Sequence, residues 1–147
     1  MSLENLWLIG QLKAHPTDVE EIDRLLAAAR RNLQDAGVVG ISAETRFDAA
    51  YKCIMQSALA ALMIHGYRPD TNRPGHHATL LQCLPLTMGA ESKKVVVLDA
   101  LRRQRNVADY TGDDIDESTV EHSIMEAARM IEEVRARRRA MSKSTKL

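Results

Sequence analysis

An all-α fold, a bundle of helices forming one main domain, is predicted by three observations. First, 45% of the 147 residues are apolar but only 3% are aromatic, so the core must be built from Leu, Ala, Ile, Val and Met. That composition favours helices over β-sandwiches. Second, apolar residues recur every three to four positions in several long segments, as one buried helix face requires. Third, Ser or Thr at the start of such segments, in two cases followed by Glu, and Gly at the end of several, bracket them as start and stop signals. A chain of this length can bury a core without disulfide staples.

Residues 1–16 carry Leu3, Leu6, Trp7, Leu8, Ile9 and Leu12, and read as a docking arm or short helix anchored by Trp7. The main domain spans residues 17–139. Its first helix opens at Thr17, whose hydroxyl can accept an early amide while Glu20 reaches back, and it ends at Gly37. Val19, Ile22, Leu25, Leu26, Ala29 and Leu33 form its stripe. A second helix starts with Ser42 as cap and runs through Phe47, Ala50, Tyr51, Ile54, Ala58 and Leu62 to Gly66. Two Pro and two Gly between residues 66 and 75 then force a surface loop that displays Arg68 and Arg73. A shorter helix from about His76 to Met88 is bent or ended by Pro85. The fourth segment, from about Lys93 to Tyr110, stops at Gly112. The last opens on Ser118-Thr119-Val120-Glu121, a second capping box, and keeps Val120, Ile124, Ala127, Ile131 and Val134 on one face. Four long helices and one short one result. Beyond Arg135 the chain holds Arg137, Arg138, Arg139, Lys143 and Lys146 and no acid, so it reads as fraying, with residues 140–147 a disordered basic tail.

Twenty basic and twenty acidic residues cancel, so no global field draws the chain to nucleic acid or membrane; any such binding is local. Cys53 and Cys83 lie far apart within apolar helical patterns and read as buried free thiols. No stretch reaches the roughly 20 consecutive apolar residues of a spanning helix, and the N-terminus does not read as a signal peptide. A cytoplasmic location is expected.

The chemically loaded stretch is Arg102 to Tyr110. At about 100° per residue, Arg102, Arg105, Asn106 and Asp109 fall in one helical sector beside the apolar Leu101 and Ala108. A guanidinium at Arg105 can pair with Asp109 one turn on and offers a fork suited to phosphate. The plainer reading is a solvated face on which Arg and Asp simply pair. His76 and His77 follow Gly75 at a helix start, where free amides favour anions and a neutral imidazole can act as base. As neighbours on a helix, one of the two is expected to pack inward and the other to face solvent. His65 suits the negative end of its helix dipole. Neither zinc-ligand spacing nor a G-x-S-x-G nucleophile motif occurs, so no metal or cofactor is expected.

Arg46-Phe47-Asp48-Ala49-Ala50-Tyr51, Gly66-Tyr67-Arg68-Pro69 leading to Gly75-His76-His77, and Arg102-x-x-Arg105-Asn106-x-x-Asp109-Tyr110 together resemble the HEPN superfamily, over about residues 17–139. The resemblance implies an up-and-down antiparallel bundle, often a homodimer, common in toxin-antitoxin and phage-defence systems. Ribonuclease members carry an Arg, a polar residue that is often Asn, and a His five positions after the Arg. Arg105 and Asn106 match the first two positions, and Tyr110 stands where His is expected. An unperturbed Tyr has a pKa of about 10, so Tyr110 is a poor base for deprotonating a 2′-hydroxyl.

Three functional readings follow. The first is a non-catalytic HEPN-like module that binds a nucleotide, RNA or partner protein through Arg102, Arg105, Asn106 and the basic loop, with Asp109, His76 and His77 as further ligand or phosphate contacts. The second is a metal-independent ribonuclease in which Arg105 and Asn106 act with Tyr110 or His77. The third is a ligand-free helical dimerisation partner of a nucleotidyltransferase or an antitoxin.

Overall fold

The computed structural model describes residues 1–144. It is mostly helical: α1 (Leu3–Leu8), α2 (Val19–Ala36), α3 (Ala43–Ile64), α4 (His76–Gln82), α5 (Leu84–Met88), α6 (Ser92–Thr111) and α7 (Glu117–Ser144). Two three-residue strands, β1 (Leu12–Ala14) and β2 (Tyr67–Pro69), pair antiparallel with Leu12 opposite Pro69. The four long helices and their Gly and Pro breaks match the expectation.

Helix α3 is the central element, packed chiefly against α2 and α7 and also touching α4, α5, α6 and β2. Its sequence explains this position. Phe47, Ala50, Cys53, Ile54, Ala58, Ala61 and Leu62 are all buried, and the small Ala residues let neighbouring helices approach closely. By length and composition α3 could cross a membrane, yet 67% of the qualifying window is buried inside the protein, as in a core helix.

Several boundaries differ from the expected ones. Asp18, not Thr17, caps α2, accepting from the amides of Glu20 and Glu21; the Thr17 hydroxyl instead donates to the Met63 carbonyl. Ser42 caps α3 as expected. Asp116, not Ser118, caps α7, accepting from the Thr119 amide at 2.9 Å. In both corrected cases a carboxylate, one residue after Thr17 or two before Ser118, outcompetes the hydroxyl for the orphan amides. The 76–88 segment splits at Cys83 into α4 and α5, with Pro85 in the first turn of α5, where its missing N–H costs nothing.

The N-terminal arm is held by Leu12, which is fully buried, and by the β1–β2 pairing. Trp7 is 43% exposed and is not the anchor. Gly10, at φ +81°, is required there: a Cβ would lie 2.7 Å from the Arg73 guanidinium, which lies over it. At the other end, α7 continues helically to Ser144 instead of fraying after Arg135. Its basic side chains have partners: Arg135 pairs with Glu132, Arg137 donates to the Met88 carbonyl, and Arg138 forks onto Asp23 of α2 at 2.8 and 3.1 Å. Residues 145–147 of the expected tail lie outside the described residues.

Further polar ties hold the bundle. Arg46 donates from Nε to the carbonyl of Ala36, the last residue of α2, and from a terminal nitrogen to Glu117 at the start of α7. Lys94 of α6 meets the buried Glu126 of α7 at 2.7 Å, with His122 3.6 Å from the same carboxylate. Burying that carboxylate is tolerable because it is paired.

Candidate functional site

Arg105 is the hub. From α6 it reaches toward α3, with its guanidinium carbon 4.9 Å from the Tyr51 ring centroid, a cation–π contact. Its Nε lies 3.4 Å from Asp109, one turn on, and 3.8 Å from Asp48. The expected Arg105–Asp109 pair is therefore present. However, Nε is enclosed and forms no hydrogen bond, so these carboxylates hold Arg105 by charge alone.

Tyr51 is 2% exposed and stands between Arg105 and α4. Its hydroxyl oxygen lies 2.9 Å from His77 Nδ1, and the His76 ring packs edge-on against that of His77 at 4.7 Å. Both histidines line one cleft, contrary to the expectation that one would face solvent. They sit in the first turn of α4, where the chain enters from the β2 loop and both side chains can lean to the same side. The cleft, about 370 Å³, lies between α3, α4 and β2. Lys52, Arg68 and Arg105 bring permanent cations to its wall, Met55, Leu59 and Leu80 an apolar surface, and among the described residues no Asp or Glu lines it. On its other side Arg105 borders an acidic hollow with Glu44, Asp48, Asp109, Asp113 and Asp114. Arg105 thus divides a basic cleft from an acidic one.

Burial sets the protonation states here. It lowers the pKa of His77, and the nearby His76, Arg105 and Arg102 add to the effect, so the imidazole is neutral at pH 7. It raises that of Tyr51 against the pull of Arg105 and Arg102, so the phenol keeps its proton. Asp48 is pushed up by burial and by Asp109, with Arg105 and Lys52 opposing.

The other expected residues lie apart from the cleft. Arg102 is engaged by Asp99 at 2.7 Å, and Arg103 holds the same carboxylate at 2.9 Å, which lowers the pKa of Asp99. Asn106 is exposed, and Tyr110 is 93% exposed. Within one chain, Tyr110 therefore completes no site around Arg105. Cys53 and Cys83 are free and buried, their thiols pushed up to about 11. Such thiols are protonated and unreactive at neutral pH. Among the described residues, no three His, Cys, Asp or Glu side chains gather as a metal site needs.

By periodicity alone Tyr51 belongs to the apolar stripe of α3, and Lys52 and Asp48 have no evident role. A signal was present: Asp48, Tyr51 and Lys52, at i, i+3 and i+4, share one helix face inside an otherwise apolar segment. Comparison with family models, with curated proteins and with solved structures returns no match.

Proposed function

We propose that this chain is a HEPN-like up-and-down helical bundle that binds a phosphate-bearing ligand, a nucleotide or RNA, without cleaving it. One observation carries the reading: a cleft whose wall holds Lys52, Arg68 and Arg105, with His76 and His77, and no carboxylate. Cations at the rim attract phosphate, and an arginine fork receives two of its oxygens. The apolar floor of Met55, Leu59 and Leu80 suits the face of a base. Asp48 and Asp109 hold Arg105 in place from behind. In keeping with the resemblance, the setting is a cytoplasmic toxin-antitoxin or phage-defence system.

A second reading, metal-independent ribonuclease, is favoured by the neutral His77 two contacts from Arg105. Incubating the protein with single-stranded RNA in the presence of a chelator separates the two. Binding without cleavage is expected; cleavage that disappears in both Arg105→Ala and His77→Gln would replace the first reading with the second.

Homodimerisation belongs to the same proposal. Val96, Val107 and Tyr110 are exposed on α6, and at about 100° per residue they fall within one narrow sector of the helix. That stripe fits a second copy of the chain better than it fits water. Light scattering at micromolar concentration is expected to give twice the chain mass; a monomer would remove the dimer from the account.

A further inference from the structure

The Tyr51–His77 contact has a direction that the neighbouring charges determine. A phenol hydroxyl has one proton to donate, and among the described residues the only acceptor within reach of it is His77 Nδ1, at 2.9 Å. The charged groups packed beside Tyr51 on α6 are Arg105, over its ring, and Arg102, and guanidinium groups only donate. Asp99, whose charge acts on Tyr51, is already held by Arg102 and Arg103. Were Nδ1 to carry the proton, the Tyr51 hydroxyl would be left buried with no acceptor, which is unfavourable.

We infer that Tyr51 donates to His77 Nδ1 and thereby fixes the imidazole as its Nε2–H tautomer, so that His77 serves the cleft as a hydrogen-bond donor to an anionic oxygen and not as a base. Tyr51 is a positioning residue in this scheme. The inference rests on the cleft being the ligand site and narrows what it takes. Arg105, Lys52, Arg68 and His77 Nε2–H all donate, so the matching ligand is an acceptor-only oxyanion such as a phosphate mono- or diester. A substrate hydroxyl awaiting deprotonation finds no lone pair on His77, because Nδ1 is occupied and Nε2 is protonated. The neutral state of the ring, kept so by burial and by His76, Arg102 and Arg105, is what lets the tautomer matter at neutral pH.

The test is long-range proton–nitrogen correlation NMR on protein labelled with ¹⁵N-histidine, without ligand, at a pH above the histidine range. His77 is expected to show an unprotonated Nδ1 and a protonated Nε2. In Tyr51→Phe the two tautomers should mix and the His77 titration should move upward, because the bond that favoured the neutral ring is gone. A protonated Nδ1 in the wild type would overturn the inference whatever the variant does, as would an unchanged tautomer in a folded Tyr51→Phe protein. Titrating inorganic pyrophosphate into the same wild-type sample tests the site separately. A shift at His77 Nε2 supports both readings, whereas an Nε2–H tautomer with no response to pyrophosphate upholds the lock and sinks the cleft as a phosphate site.

Discussion

At the scale of single residues, the site depends on neighbours that each change what another can do. Arg105 lies between two carboxylates behind it and an aromatic ring in front, so it is oriented without any hydrogen bond donated by its Nε. Removing it by Arg105→Ala leaves Asp48 and Asp109 facing each other and is expected to push Asp48 further up. His77 makes a pH prediction. Its pKa is lower folded than unfolded, so the unfolded chain binds the extra proton first and stability rises with pH through that range. The contribution is complete above the ordinary value of 6.5 and is lost as pH falls below it. Asp48, raised in the fold, works in the opposite sense at lower pH, favouring the folded state as it protonates. Thermal melts between about pH 7.5 and about pH 5.5 should therefore show a falling Tm in the wild type and a flatter curve in His77→Gln. Parallel curves would mean that His77 is not the group responsible.

Among the elements, helix existence was legible because it rests on local periodicity, which Leu, Ala and Ile repeats carry in full. Caps were legible less well. Thr17 and Ser118 satisfy the capping-box pattern, but Asp18 and Asp116, one and two residues away, take the amides, and Thr17 is drawn off to Met63 on α3. The β1–β2 pair was not legible, since three residues per strand carry too short a pattern and the pairing joins segments far apart in the chain. The site was half legible for the same reason: Arg105 and Asp109 are one turn apart, whereas Tyr51 and His77 meet only through tertiary packing. Arg46 is another long-range case, tying α2, α3 and α7 at one end. Arg46→Ala strands the buried Ala36 carbonyl and should cost about 1–3 kcal/mol in urea denaturation. The exposed Glu117 partner adds little, so Glu117→Gln should change stability by less than about 0.5 kcal/mol. Equal effects of the two would place the tie in the ion pair and not in the carbonyl bond.

Taken as a whole molecule, the chain balances its charge globally and separates it locally. Its net charge is zero, yet a cleft without carboxylates and an acidic hollow meet at Arg105. The bundle makes that possible by placing α3 at the centre, so that its Tyr51–Lys52 face meets α4 and α6 at once. The basic C-terminal run contributes less than its composition implied, because Arg135, Arg137 and Arg138 are spent on contacts within the fold. Under the proposed function, charge at the cleft is what a phosphate-bearing ligand meets. Titration calorimetry with ATP and with a short oligoribonucleotide, at low and at high salt, tests this most directly. The account predicts binding of at least one of the two that weakens as salt rises and falls about tenfold or more in a folded Arg105→Ala protein. Absence of binding by both probes at low salt, or equal binding by wild type and Arg105→Ala, would contradict it.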